Sequence, residues 1–335
     1  MLLAPSVLAL ITVSMTVLLL FMLAALFALS VLRHWEITSG SELQLRLERR
    51  TYLISTLVAY CFLAELVSLL LFVYNAEQMS SQFVGAMCAT GVLNLNGYGW
   101  PVLFLKILLF LAGAVWLTVN RVDNQAIDYP LVRVKYGLLL LILPLAAAEP
   151  ALLLGFFLNM DPDVITSCCG SLFTPAGEGV AAELSGVAPK TALLLLGVSA
   201  MLVFTTGLLY LKRGRGGVQF ASAGVAAYLA GLMAIVSCIA LYIYEHPHHH
   251  CPFCILKGGH GFIGYLLYIP LFVATALALG VGAIEPFRAR PSLAAIIPAV
   301  SRRHVAGVLI SLLFFYLIAI FAILDSNLSM LTVWW

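Results

Sequence analysis

The sequence predicts an all-α, polytopic membrane bundle of about eight transmembrane helices, with both termini on the extracytoplasmic side. Three observations carry that expectation. The chain is 63% hydrophobic and only 10% charged, with mean hydropathy +1.07, against about 25% charged in an ordinary soluble domain. Eight stretches reach the roughly 20 mainly apolar residues that a spanning helix needs, at 4–32, 51–75, 101–119, 136–159, 191–211, 218–244, 262–284 and 305–324. Basic residues fall in alternate loops: of the 17, only Lys106, Lys190 and Lys257 escape the loops that follow the first, third, fifth and seventh stretches. Lysine and arginine collect in short cytoplasmic loops, so this alternation sets both the span count and the orientation.

The first stretch has no Lys or Arg before it and is too long for the apolar part of a signal peptide, so it reads as a retained span. The segment from Arg33 to Arg50 reads as a solvated loop, with a short interfacial helix as the alternative. Span two carries Cys61, read as a small core residue, and Glu65. A carboxylate at membrane depth is costly unless paired or protonated, and marks a functional candidate. Span four contains Pro144 and Glu149-Pro150, which predicts a kinked helix with Glu149 at about the depth of Glu65. Lys106, near the start of span three, is placed to pair with one of these acids if spans two, three and four pack together. The pair reads equally as a structural tie or as part of a proton relay.

Three loops are expected on the outer face, at 76–100, 160–190 and 245–261, and together they are expected to form a Cys/His cluster. The first holds Cys88 within a run rich in glycine and asparagine, residues that favour tight turns. The second holds the vicinal pair Cys168-Cys169, too strained to bond each other and so expected to meet different sulfur partners or a shared metal. The third is Glu245-His246-Pro247-His248-His249-His250-Cys251-Pro252-Phe253-Cys254, followed by Lys257 and His260. The stretch from Glu245 to Cys254 alone contains four of the seven histidines. If the outer face is an oxidising compartment, as outside an inner (cytoplasmic) membrane, sulfurs there belong in disulfides, in redox exchange or on a metal.

Two chemistries suit these residues. In the first, Cys251 and Cys254 form a redox pair whose thiols are acidified by a nearby helix N-terminus, with Cys88, Cys168 or Cys169 as relay partners. In the second, Cys251 and Cys254 bind copper or zinc with at most one or two of the successive His248, His249 and His250, His246 and His260 being further candidate ligands; if the metal passes through, Glu65 and Glu149 mark its path, and if it stays the protein is a carrier or sensor. Cys251-Pro252-Phe253-Cys254-Ile255-Leu256 resembles the cysteine pair of the quinone-linked membrane thiol oxidases of the disulfide-bond-formation B type. The resemblance implies electron transfer from a soluble thioredoxin-like thiol carrier to quinone, with Lys257 or Lys106 stabilising negative charge on the quinone. The metal reading implies a metallochaperone partner instead, and a non-catalytic subunit of a larger membrane complex is a third possibility. Membrane lipid is the one partner the composition requires. The net charge of +2 and the lack of a glycine-rich phosphate loop argue against nucleic acid and nucleotide.

Overall fold

The computed structural model describes residues 4–161 and 186–328; Cys168 and Cys169 lie outside them. Among the described residues the helices are α1 (Pro5–His34), α2 (Glu42–Met79), α3 (Ala89–Leu93), α4 (Gly99–Asp123), α5 (Val132–Leu158), α6 (Pro189–Arg213), α7 (Gly217–Ala234), α8 (Ala240–Tyr244), α9 (Ile263–Ile284) and α10 (Ile296–Asp325). No strand occurs among them. A π-turn at Ile235–Ile239 joins α7 to α8, so Gly217–Tyr244 is a single span, and 8 helices are long and apolar enough to cross a membrane. The protein is therefore a multi-pass membrane protein.

The helices outrun their apolar stretches where local chemistry extends them. The segment expected to be a loop before span two is helical from Glu42. Ser41 caps it by accepting the Gln44 amide at 3.2 Å, as a first-turn hydroxyl does for an otherwise orphaned donor. Glu42 pairs with Arg46 one turn on, and Gln44 donates to Glu48 at 2.8 Å. These i,i+4 contacts and the burial of Leu47 outweigh the polar character of the segment. Helix α5 continues through Pro144 and Pro150. Helix α6 stops where Gly214 takes a left-handed backbone, φ 65°, and its amide bonds to the Tyr210 carbonyl, the usual glycine terminator.

The chain divides into two compact units. Unit 1 comprises residues up to Gln78, Leu93–Asp161 and Ala283–Val300; unit 2 comprises Met79–Val92, Pro162–Gly282 and Ser301 onward. Unit 1 packs α1 and α4 against α5, around Phe21, Phe62 and Trp116, whose rings meet in sequence at 5.1 and 5.5 Å. At one end of α4, Lys135 Nζ meets Asp123 at 2.7 Å with both side chains fully buried, and Asp123 also accepts the Leu131 amide at 2.7 Å. One ion pair thus fixes the turn between α4 and α5.

Unit 2 packs α6 on α7 around Tyr210, Phe220, Leu271 and Phe315. Small residues bring α7 and α9 together. A Cβ at Gly224 would lie 2.6 Å from the Ala278 Cβ, and one at Gly282 would lie 2.6 Å from the Ala221 Cβ. Close backbone approach through small residues is how spanning helices gain contact without a hydrophobic drive between them. Gly224→Leu should therefore cost about 1–3 kcal/mol by overpacking. A lowered midpoint in thermal unfolding of the detergent-solubilised protein is the check, and Gly197→Leu, which meets nothing within 4 Å, is the control.

Candidate functional site

Unit 2 builds the site where its long helices end. Helix α8 stops at Glu245, a non-glycine residue held at φ 52°, and the chain turns out of the span. Glu245 accepts two hydrogen bonds from Asn327, each 2.8 Å, which tie this turn to the end of α10. These bonds favour the ionised carboxylate and hold Glu245 below the ordinary range.

The segment from His246 to Phe262 then returns to α9 without a regular helix. Two tyrosines grip its backbone: Tyr244 donates to the Cys251 carbonyl at 2.5 Å, and Tyr268 donates to the Pro252 carbonyl at 2.9 Å. Lys257 Nζ donates to the Met87 carbonyl at 2.6 Å, joining the segment to the one that carries Cys88. These three bonds hold Cys251-Pro252-Phe253-Cys254 against the start of α3. Cys254 begins a short 3-10 turn, and a second such turn follows at Gly258–His260 before α9 starts at Ile263. The cysteine pair therefore does not sit on the first turn of α9. Gly258, Gly259 and the left-handed Gly261 break the chain too often for α9 to begin earlier.

Three sulfurs converge there. Cys88 Sγ lies 3.4 Å from Cys251 Sγ, and the sulfurs of Cys88, Cys251 and Cys254 all lie within 4.8 Å of one another. Cys88 and Cys251 are fully buried and Cys254 is 8% exposed. Thr90 Oγ1 is 3.3 Å from Cys251 Sγ, close enough for a hydroxyl to donate to a thiolate. The other two described cysteines are elsewhere: Cys61 packs in the core of unit 1 and Cys238 packs beside Leu241 and Tyr242.

The histidines share the segment but not the sulfur group. His249 stacks on the Tyr244 ring with centroids 4.1 Å apart, and His260 meets the same ring edge-on at 4.8 Å. His246 Nδ1 accepts the His248 amide at 3.2 Å. His250 Nδ1 donates to the Val236 carbonyl at 3.0 Å, within the π-turn where the widened helix disturbs regular carbonyl pairing. The histidines thus brace Tyr244 and the π-turn, and Tyr244 in turn holds Cys251.

Burial sets how this brace titrates. It pushes the His250 imidazole below its ordinary value despite the bond to Val236, with His248 and His249 adding to the effect. Burial, then His249 and Lys257, does the same to His260. Both rings take up a proton more readily in the unfolded chain, so the stability they contribute is complete above about pH 6.5 and falls away below it. Acidification from pH 7 toward 5 should lower the amide protection factors across 245–261, taken against the intrinsic exchange rate at each pH. His250→Asn, which keeps a donor but cannot titrate, should flatten that response; an unchanged pH profile in the variant would exclude His250 as the sensor.

The spanning candidates meet in unit 1. Lys106 Nζ lies 2.6 Å from Glu149 Oε1, 2.7 Å from Ser68 Oγ and 3.9 Å from Glu65 Oε2, and Ser14 donates to Glu149 at 3.1 Å. Sequence reading singled out the three charged residues but not their serines. It also passed over Thr90, Tyr244 and Tyr268, since a lone hydroxyl near an apolar run has no distinguishing pattern. Comparison with protein-family models, characterised proteins and solved structures returned no match. The site is thus defined by its geometry: a buried three-sulfur cluster in a membrane helical protein.

Proposed function

We propose that the protein is an integral membrane thiol-disulfide oxidoreductase, passing electrons from extracytoplasmic protein thiols to membrane quinone. The observation that carries this reading is the 3.4 Å approach of Cys88 Sγ to Cys251 Sγ, with Cys254 in the same group. Thiol-disulfide exchange passes through three sulfurs, one attacking, one attacked and one leaving. In this reading Cys88 attacks, Cys251 is attacked and Cys254 leaves.

The cycle balances as follows. The Cys251 and Cys254 thiols lose two electrons and two protons to quinone, which becomes quinol, and they close a disulfide. The Cys88 thiolate attacks Cys251 Sγ; the Cys251–Cys254 bond breaks, and the electron pair leaves on Cys254 Sγ, which takes a proton. The new Cys88–Cys251 disulfide is then attacked at Cys88 Sγ by the thiolate of an incoming dithiol on a thioredoxin-like carrier. Cys251 leaves and is protonated. The second thiol of that dithiol resolves the remaining mixed disulfide at Cys88 and is itself oxidised. Thr90 stabilises thiolate at Cys251, Lys257 positions the Cys88 segment, and Tyr244 and Tyr268 hold the carbonyls of Cys251 and Pro252. The chain would thus share the chemistry of the membrane thiol oxidases it resembles at Cys251–Leu256, in an inner membrane with this face outside.

Metal-free protein, reduced and then given quinone in lipid nanodiscs, should lose two titratable thiols per quinol formed, and Cys251→Ser should abolish quinol formation. Thiols inert to quinone would overturn the assignment. A second reading, a copper or zinc site, is favoured by the same three sulfurs, because three buried thiolates suit a soft ion. Stoichiometric bound metal in protein purified without chelator, lost in Cys251→Ser, would establish it.

A further inference from the structure

Unit 1 contains two carboxylates and one ammonium, Glu65, Glu149 and Lys106, at membrane depth. All three are buried, at 3%, 1% and 1% exposure. If both acids were ionised, the group would carry one uncompensated negative charge where no water screens it. Buried charge is tolerated when it is paired and hydrogen-bonded, and otherwise it is neutralised by protonation.

The geometry decides which acid takes the proton. Glu149 is built to be ionised: Lys106 Nζ is 2.6 Å away and Ser14 donates to the same oxygen at 3.1 Å. The ammonium spends another donor on Ser68 at 2.7 Å. Glu65 has no comparable support. Its Oε2 makes no hydrogen bond and stands 3.9 Å from the ammonium, a long ion-pair contact beyond hydrogen-bonding distance. The groups facing Glu65 are Lys106 from α4, Glu149 from α5 and Cys61 one turn earlier on α2. Only Lys106 is positive, and Glu149 has first claim on it.

We propose that Glu65 is a proton-binding site of the membrane domain, carrying one exchangeable proton at neutral pH, with Lys106 and Glu149 as the ion pair that poises it. The ligand is a proton and nothing else, and the site is independent of the thiol chemistry. The two acids are alternative counter-ions to a single ammonium, so removing any one member redistributes the charge. That gives a count which a merely structural ion pair would not reproduce.

The test is infrared spectroscopy of the full-length protein in lipid at pH 7, read at the carbonyl stretch of protonated carboxyl groups. Wild type should show one such band, shifted in deuterium oxide because the proton exchanges. Glu65→Gln should lose it. Glu149→Gln should lose it too, because Glu65 then becomes the counter-ion of Lys106, and Lys106→Met should strengthen it, since both acids are left without a cation. A wild-type spectrum matching that of Glu65→Gln would overturn the proposal. So would a band that survives in Glu149→Gln, or one that never shifts in deuterium oxide.

Discussion

Lys106→Met should be among the most destabilising single substitutions in the chain, lowering stability by about 3–5 kcal/mol. The side chains of Lys106 and Glu149 are 0% and 1% exposed and 2.6 Å apart, so losing the ammonium leaves Glu149 with the Ser14 hydroxyl as its hydrogen-bond donor. Methionine keeps the unbranched stem and most of the volume, so the loss reports charge and not a cavity. The expected readout is a large drop in the denaturant midpoint of the protein in mixed micelles. The double substitution Lys106→Met/Glu149→Gln should recover most of it, because removing both partners of a buried pair is far cheaper than removing one. The exposed pair Arg46–Glu42 supplies the contrast: its side chains are 65% and 80% exposed, and Arg46→Ala should change stability by less than about 1 kcal/mol. Equal losses in Lys106→Met and the double variant would show that Lys106 contributes through something other than Glu149.

These two pairs also mark what sequence can and cannot say. The spans were legible because membrane insertion demands long apolar runs, and the eight stretches read from the sequence have helical counterparts in 8 helices. Helix ends were less so: Ser41 and the Glu42–Arg46 contact extend α2 by local bonds that hydropathy does not register. Glu65, Lys106 and Glu149 stood out because charge is rare in such runs, yet the preference of Lys106 for Glu149 over Glu65 depends on tertiary placement. At the sulfur site, Cys-x-x-Cys was visible as spacing, whereas the approach of Cys88 across 163 residues was expected only at the level of a shared face. The histidines were the least legible part of the site. Their density suggests ligation, whereas among the described residues they lie outside the sulfur group and contact Tyr244, backbone and one another.

Cys254→Ser should trap the relay. If Cys254 is the leaving sulfur, the variant cannot close the Cys251–Cys254 disulfide, and the sulfur left nearest to Cys251 is that of Cys88. An added two-electron thiol oxidant such as diamide, which takes up the two electrons and two protons, should then accumulate a Cys88–Cys251 bridge, which needs the 3.4 Å separation to close to about 2.05 Å. Such a shift is within reach because Met87, beside Cys88, is held through the flexible side chain of Lys257. Peptide mapping by mass spectrometry should find that bridge in most of the Cys254→Ser protein and in little of the wild type, with quinol formation at background. Cys88→Ser should do the reverse, keeping the Cys251–Cys254 disulfide and its single reduction of quinone while losing turnover with external thiols. A metal site predicts a different pattern. There both variants lose the ion, neither accumulates a specific bridge under metal-loaded conditions, and Thr90→Val leaves affinity nearly unchanged because its hydroxyl faces a sulfur already bound to metal. In the relay, Thr90→Val removes a donor from the attacked sulfur Cys251 and should slow its departure when the Cys88–Cys251 bridge is resolved. The two chemistries therefore separate on covalent bonds that form or fail to form between named cysteines.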